Sequence, residues 1–104
     1  MTYRPNILLI MTDQQKATSL GLYGNPDVRT PHIERLAAGG VTFEQAYTPH
    51  PLCVPARVSF WTGRWPHQHG SRTNQLPLPV GMDNYLTRLD EAGYTLGLIG
   101  KNHL

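Results

Sequence analysis

Cysteine is almost absent from this chain of 104 residues, which contains only Cys53. A single cysteine excludes an intrachain disulfide framework and a zinc site built from several cysteines. An unpaired thiol also fits a reducing compartment, so we expect a cytoplasmic location.

Long hydrophobic runs are missing as well. The apolar run near the N-terminus, residues 7–11, is too short for the core of a signal peptide, and no small-residue cleavage site follows it. No segment approaches the roughly 20 consecutive apolar residues that a membrane helix needs. The sequence therefore predicts that the protein has no membrane partner.

A strong charge of either sign is also lacking. The formal net charge is +2, and the lysines and arginines are scattered along the chain. A nucleic-acid-binding surface usually needs a basic cluster, so we expect no nucleic-acid partner. With 39% hydrophobic and 15% charged residues, the composition is that of an ordinary globular domain.

Three segments have the pattern of β-strands. Residues 6–11 and 94–100 are mainly apolar runs, typical of strands buried on both faces of a parallel sheet. Residues 41–47 alternate apolar and polar side chains, as a strand with one buried face does.

Three further segments have the signals of helices. Thr30 is a candidate N-cap followed by proline, and the pair Gly39-Gly40 ends the apolar periodicity. A second helix is predicted from Pro55 to about residue 61, ended by Gly63. A third begins after Asp83 or Asn84 and stops at Gly93, whereas residues 64–82 show no period and are predicted as a long irregular excursion.

Strands and helices that follow one another in this way predict an α/β fold with a mostly parallel sheet and flanking helices. A sheet of so few strands has open edges, which complete folds avoid or protect. We therefore expect residues 1–104 to be a fragment of one larger domain.

Cys53 lies where a nucleophile would be useful. It immediately precedes the predicted helix, whose first N–H groups and partial positive charge attract anions. Arg57 follows four residues later on the same helical face and has a planar cation that suits sulfate or phosphate. The simpler alternative is that Cys53 is a small buried residue. Cysteine-dependent phosphatases are excluded, because they need an arginine six positions after the cysteine, where this chain has Ser59.

The segment around Cys53 closely resembles the signature of the sulfatase family. The matching residues are Pro51-Leu52-Cys53-Val54-Pro55-Ala56-Arg57-Val58-Ser59-Phe60-Trp61-Thr62-Gly63. The resemblance implies that Cys53 is oxidised to formylglycine by a formylglycine-generating enzyme, which reads the tag Cys-x-Pro-x-Arg. Val54 is bulkier than the residue usually found at its position.

A second segment is similar to the family's other signature. It reads Gly93-Tyr94-Thr95-Leu96-Gly97-Leu98-Ile99-Gly100-Lys101-Asn102-His103-Leu104, with departures at Leu96 and Asn102. Lys101 and His103 are two residues apart, so on an extended chain both side chains point the same way. They also follow a predicted strand, at the end where open α/β sheets bind ligands. The alternative is that Lys101 and His103 are ordinary solvent-exposed residues at the end of a strand.

Asp13 directly follows the first predicted strand, where an isolated aspartate is commonly a turn residue. The resemblance implies instead that Asp13 binds a divalent metal together with Gln14, which takes the place of the aspartate that most sulfatases have. It implies a hydroxyl of the modified residue Cys53 as a further ligand. A similar Asp-Gln pair occurs in the branches related to choline sulfatase and phosphonate monoester hydrolase. The cation implied is Ca²⁺ foremost, with Mn²⁺ and Mg²⁺ as alternatives, because carboxylate and amide oxygens suit hard cations.

The resemblance covers residues 5–104 and implies the N-terminal portion of an alkaline-phosphatase-like fold. In the implied reaction, a hydroxyl of the hydrated formylglycine at position 53 attacks the sulfur of a small sulfate ester, and the alcohol leaves. Deprotonation of the remaining hydroxyl then expels sulfate and regenerates the aldehyde. The family assigns Arg57 and His103 to the hydrate, and Lys101 to both the hydrate and the sulfate. Two alternatives stay open: a phosphonate or phosphate ester hydrolase on the same scaffold, and a non-catalytic remnant.

The pair His67 and His69 has a spacing that suggests zinc, but two ligands do not make a zinc site. The family does not place its metal in this stretch. We therefore predict that both histidines pack in the loop. His32 is interpreted in the same way, and His50 is a minor candidate because it lies close to Cys53 in the sequence.

Overall fold

The structure is a computed structural model that describes residues 3–104. The two N-terminal residues included in the predicted domain of residues 1–104 lie outside this range. The chain divides into two compact units, the first ending at Ala46 and the second running from Tyr47 to Leu104. In the described part, no helix is both long and apolar enough to span a bilayer.

Within residues 3–104, four α-helices and two short 3-10 helices form. The 3-10 helices are Ala17–Ser19 and Gly21–Tyr23; the α-helices are α1 (Pro31–Ala38), α2 (Cys53–Thr62), α3 (Pro66–His69) and α4 (Tyr85–Glu91). All three helices predicted from the sequence are therefore confirmed.

Helix α3 was missed by the sequence prediction, which treated its residues as irregular. It begins with Pro66 and is followed by Gly70 in a left-handed conformation with φ of 80°. The side-chain oxygen of Gln68 accepts a hydrogen bond from the backbone N–H of Trp65 at 2.9 Å. A proline at the start and a glycine after the end are the usual boundary signals of a helix, but four residues are too few to show a period.

Strands do not form among residues 3–104, which differs from the sequence prediction. A parallel strand needs a hydrogen-bonded neighbour and covering layers on both faces. Without them, apolar side chains of the predicted strands remain in solvent: Leu8 is 85% exposed and Ile99 is 104% exposed. The segment 41–47 also contains a bend at Glu44 and Gln45. The sheet itself therefore stays a prediction.

Helix α1 begins at the predicted residue, but Thr30 is not a side-chain cap. Its hydroxyl donates a hydrogen bond to Oε1 of Glu34 at 3.1 Å and accepts one from the backbone N–H of Gly21 at 3.2 Å. Thr30 thus connects the start of α1 to the second 3-10 helix of the same unit.

Gly21→Ala is expected to destabilise the first unit by about 1–3 kcal/mol. The added Cβ would lie 2.6 Å from Oε1 of Glu34 and 2.8 Å from the carbonyl oxygen of Val28. The glutamate is able to move, but the backbone carbonyl is not free to do so without disturbing the turn. Urea unfolding measures the loss. Gly40→Ala is the matched control, because its Cβ meets only the carbonyl oxygen of Leu36 at 3.6 Å; an equal loss in both variants would contradict the steric explanation.

The core of the second unit is built on α2. The buried side chains of this helix are Val54, Pro55, Val58, Ser59 and Trp61. The ring of Trp61 packs against Tyr85 of α4, with ring centres 4.9 Å apart. This packing fixes α2, which has both Cys53 and Arg57 on it.

Candidate active site

Helix α2 begins at Cys53, two residues before the predicted start at Pro55. Leu52 is the extended N-cap residue, and its carbonyl accepts the first helical hydrogen bond from the N–H of Ala56 at 3.1 Å. Pro55 fits in the first turn because the N–H groups there have no partner within the helix. Cys53 is therefore the first residue of the helix, at its positive end.

Arg57 lies on the same face of α2 as Cys53, one turn later. Its Nη1 donates a hydrogen bond to the backbone carbonyl oxygen of Lys101 at 3.3 Å, across 44 residues of sequence. The structure thus brings together two of the predicted site residues, one from each of the two motifs.

Lys101 and His103 are exposed at the end of the second unit. His103 has a φ of 53°, the only non-glycine residue of the described chain with a positive φ. This conformation is uncommon for a residue with a side chain, and such outliers often occur at functional sites. It also means that the simple alternation of side chains along an extended strand does not hold at His103.

Asp13 and Gln14 lie in the first unit and are exposed. The carbonyl of Asp13 accepts a hydrogen bond from the N–H of Gln15 at 2.9 Å, in a tight turn. Over residues 3–104, no group of three or more His, Cys, Asp or Glu side chains is arranged to hold a metal ion. A carboxylate beside an amide suits a hard cation, so the pair fits part of a metal site but does not complete one.

Asn74 is a residue that the sequence analysis missed. Its side-chain Oδ1 accepts a hydrogen bond from the backbone N–H of Val54, the second residue of α2, at 3.1 Å. The contact joins residues 20 positions apart, and asparagine is a common loop residue, so the pattern gave no signal of it.

His69 is packed as predicted, being only 2% exposed. The backbone N–H of Ser71 donates to its Nδ1 at 3.1 Å, so the ring proton of the neutral form is on Nε2. That Nε2 lies 2.8 Å from Oγ of Ser59 on α2 and donates to it. The packing prediction is wrong for His67, which is exposed on α3, and for His32, which is exposed on α1. Nδ1 of His50 accepts a hydrogen bond from the N–H of Leu52 just before α2.

Acidification is expected to destabilise the second unit through His69. Burial, followed by the charges of His50 and His67, lowers the pKa of His69 below its ordinary value of 6.5. The unfolded chain therefore binds a proton more readily, and stability that is fully present above pH 6.5 falls as the pH decreases toward the folded-state pKa.

Thermal unfolding between pH 7.5 and 5, values that span the ordinary histidine pKa of about 6.5, measures this effect. His69→Gln should flatten the pH dependence, whereas His67→Gln, which changes an exposed histidine of the same short helix, should leave most of it. A profile that His69→Gln does not alter would contradict the assignment.

Comparison with known proteins matches this chain to sulfatases. The family model described as Sulfatase matches residues 5–104. The chain is 42% identical to human steryl-sulfatase, over 97% of this chain and 19% of that protein. It is 39% identical to an ulvan-active sulfatase of Formosa agariphila, over 97% of this chain and 20% of that protein.

A third relative is the N-acetylglucosamine-6-O-sulfatase of Bacteroides thetaiotaomicron, which is 33% identical over 99% of this chain and 18% of that protein. The chain belongs to the sulfatase family, as its two motifs predicted. It spans about a fifth of the length of the curated relatives it matches.

Proposed function

We propose that the protein to which this chain belongs is a sulfuric ester hydrolase whose reactive group is a formylglycine made from Cys53. The observation that carries the proposal is the arrangement on α2: Cys53 begins the helix, and Arg57 on the same face bonds to Lys101. An anion placed there meets the helix N-terminus and a guanidinium group.

Each site residue has a distinct task in this proposal. Formylglycine supplies a hydrated aldehyde whose hydroxyl is the nucleophile. Arg57 and His103 hold that group in position, and Lys101 contacts both it and the sulfate. The positively charged side chains of Arg57 and Lys101 offset the negative charge of the ester and of the groups formed from it. Electrostatic stabilisation of this kind is the largest source of rate enhancement in many enzyme active sites.

Asp13 and Gln14 are proposed to provide two oxygen ligands of a divalent cation, with a third from residue 53. Ca²⁺ is preferred, and Mn²⁺ and Mg²⁺ are the alternatives. When bound, the cation neutralises an anionic ester and makes a hydroxyl more reactive. Two side-chain oxygens are fewer than the six to eight that Ca²⁺ takes, so other ligands must complete the site.

The substrate is proposed to be a small sulfate ester. The relatives' names refer to a steryl, an ulvan and an N-acetylglucosamine sulfate, so membership of the family does not select the alcohol. A phosphonate or phosphate ester is the second candidate, because Asp13-Gln14 replaces the pair of aspartates usual in sulfatases. The exclusion of nucleic acid and membrane partners and the cytoplasmic location remain predictions.

Two measurements test the proposed function. Coexpression with a formylglycine-generating enzyme should convert Cys53 to the aldehyde, detected by peptide mass spectrometry and hydrazide labelling; retention of the thiol under these conditions would contradict the proposal. The modified longer protein to which this chain belongs should then hydrolyse an aryl sulfate faster than an aryl phosphonate ester. The reverse preference would favour the second candidate.

The 104 residues are proposed to be the N-terminal part of one sulfatase catalytic domain with an alkaline-phosphatase-like sheet. The support is the exposure of the three predicted strands, whose apolar side chains need partners that residues 3–104 do not provide.

The isolated chain is accordingly expected to be inactive and to bind its cation weakly. One carboxylate and neutral ligands leave a cation with most of its waters. Calorimetry with Ca²⁺ and Mn²⁺, together with an aryl sulfate assay on the isolated chain, measures both properties. Tight stoichiometric binding with turnover would contradict the assignment as part of a larger domain. If a longer protein in which Cys53 is fully converted to the aldehyde is also inactive, the alternative that the protein is a non-catalytic remnant would be favoured.

A further inference from the structure

The first turn of α2 depends on a side chain outside the helix. The N–H groups of a first helical turn have no acceptor within the helix. Pro55 has no N–H to satisfy, and that of Ala56 bonds to the carbonyl of Leu52. The N–H of Val54, next to residue 53, donates to Oδ1 of Asn74 at 3.1 Å. Asn74 thus acts as a cap supplied from 20 residues away.

The loop that carries Asn74, residues 69–77, is attached to α2 at its base. His69 donates from Nε2 to Oγ of Ser59, in the second half of the helix, at 2.8 Å. The N–H of Ser71 donates to Nδ1 of His69, and Oγ of Ser71 donates to the carbonyl of Pro77 at 2.9 Å. His69 and Ser71 are both buried, so these bonds lie in the core of the unit.

The tip of the same loop is also ordered by hydrogen bonds. The N–H of Leu76 donates to the carbonyl of Thr73 at 3.2 Å, and that of Gln75 donates to the hydroxyl of Thr73 at 3.3 Å. Asn74 is therefore presented from a closed turn between Thr73 and Leu76. A group held in this way loses less conformational entropy when it forms its bond than one on a flexible loop.

We propose that Asn74 is a positioning residue for the chemistry at residue 53. Its amide oxygen holds the first turn of α2 and thereby sets the backbone of residue 53 relative to Arg57. The inference rests on the proposed function.

An uncharged hydrogen-bond acceptor suits position 74. An aspartate would satisfy the same N–H and would favour the helix N-terminus, but its charge would oppose an anionic ester beside it. Asparagine provides the hydrogen bond without that repulsion.

The test compares three variants of the intact protein, with the aldehyde content of residue 53 measured in each. Asn74→Ala removes the acceptor, and Asn74→Asp keeps it but adds charge. Asn84→Ala is the matched control, because Oδ1 of Asn84 accepts from the N–H groups of Leu86 and Thr87 in α4 in the same manner. It removes an equivalent cap from a helix that has none of the proposed site residues.

Asn74→Ala is expected to lower kcat by about tenfold or more with little change in KM, because a slightly misplaced reacting group loses rate rather than affinity. Asn74→Asp should restore most of kcat and raise KM for the anionic ester by about tenfold, the effect of about 1.4 kcal/mol of repulsion. Asn84→Ala should lower the Tm and leave kcat unchanged. A wild-type kcat in Asn74→Ala, or an equal loss of kcat in Asn84→Ala, would overturn the inference.

Amide hydrogen exchange at Val54 separates this inference from the proposed function. Exchange should become faster in Asn74→Ala and stay slow in Asn74→Asp. If exchange at Val54 is unchanged in Asn74→Ala while the wild-type enzyme is active, the positioning role of Asn74 is overturned and the proposed function is not. A fully modified wild-type protein that hydrolyses neither aryl sulfate nor aryl phosphonate overturns the proposed function and, with it, the positioning role.

Discussion

Cys53→Ala is expected to abolish ester hydrolysis, lowering kcat by about 10⁴-fold or more in the intact protein. The substitution removes the only side chain from which the formylglycine nucleophile is proposed to form. Alanine is a good helix former, and Cys53 is only partly buried at the first position of α2. The loss should therefore occur without unfolding, as circular dichroism and the Tm will show.

Thr62→Ala is the matched control, at the other end of the same helix. The hydroxyl of Thr62 donates to the carbonyl of Val58 at 2.7 Å, so its removal costs a modest amount of stability, about 1 kcal/mol. Activity should be retained. Measurable turnover by Cys53→Ala, in a preparation free of wild-type enzyme, would show that residue 53 is not the nucleophile.

Arg57→Lys is expected to lower kcat/KM by about 10²-fold or more. Lysine keeps the positive charge but has no planar fork, and a guanidinium held in that geometry contacts an oxyanion at two points. The substitution also removes the bond from Nη1 of Arg57 to the carbonyl of Lys101, so the two motifs lose a direct connection. Steady-state kinetics on an aryl sulfate measures the effect.

Two controls accompany the Arg57 variant. Its aldehyde content must be determined and the rates expressed per aldehyde, because Arg57 is also part of the modification tag. Arg64→Lys makes the same change at an exposed arginine just beyond the end of α2 and should leave kcat/KM unaltered. Near-normal kcat/KM per aldehyde in Arg57→Lys would contradict the role proposed for the guanidinium.

Helices α1, α2 and α4 could be predicted because their boundary signals are local. Proline at the first position of α1, glycine after α2 and Asn84 before α4 each act within a few residues of the element they bound. The same signals left the cap of α4 ambiguous. The structure assigns it to Asn84, whereas Asp83 forms an ion pair with Arg88 at 2.8 Å.

The strands could not be tested in the same way, because a strand depends on its partners. The apolar run of residues 6–11 has the right composition, but a backbone ladder needs a second segment at the correct distance and register. Residues 3–104 contain no such ladder, and Leu8 remains exposed. A local sequence pattern is therefore a weaker predictor of strand formation than of helix formation.

The sequence by itself determined the family, the positions of α1, α2 and α4, and the pairing of Cys53 with Arg57 on one helical face. These properties depend on residue identity and on spacings of a few residues, which a linear pattern contains. Only the tertiary structure decided that Arg57 meets the carbonyl of Lys101 and that Asn74 caps the first turn of α2. Such contacts join residues 44 and 20 positions apart, so no local pattern contains them. The Asn74 contact satisfies a backbone N–H of the first turn, which has no acceptor within the helix, and the Lys101 contact satisfies a guanidinium N–H of Arg57.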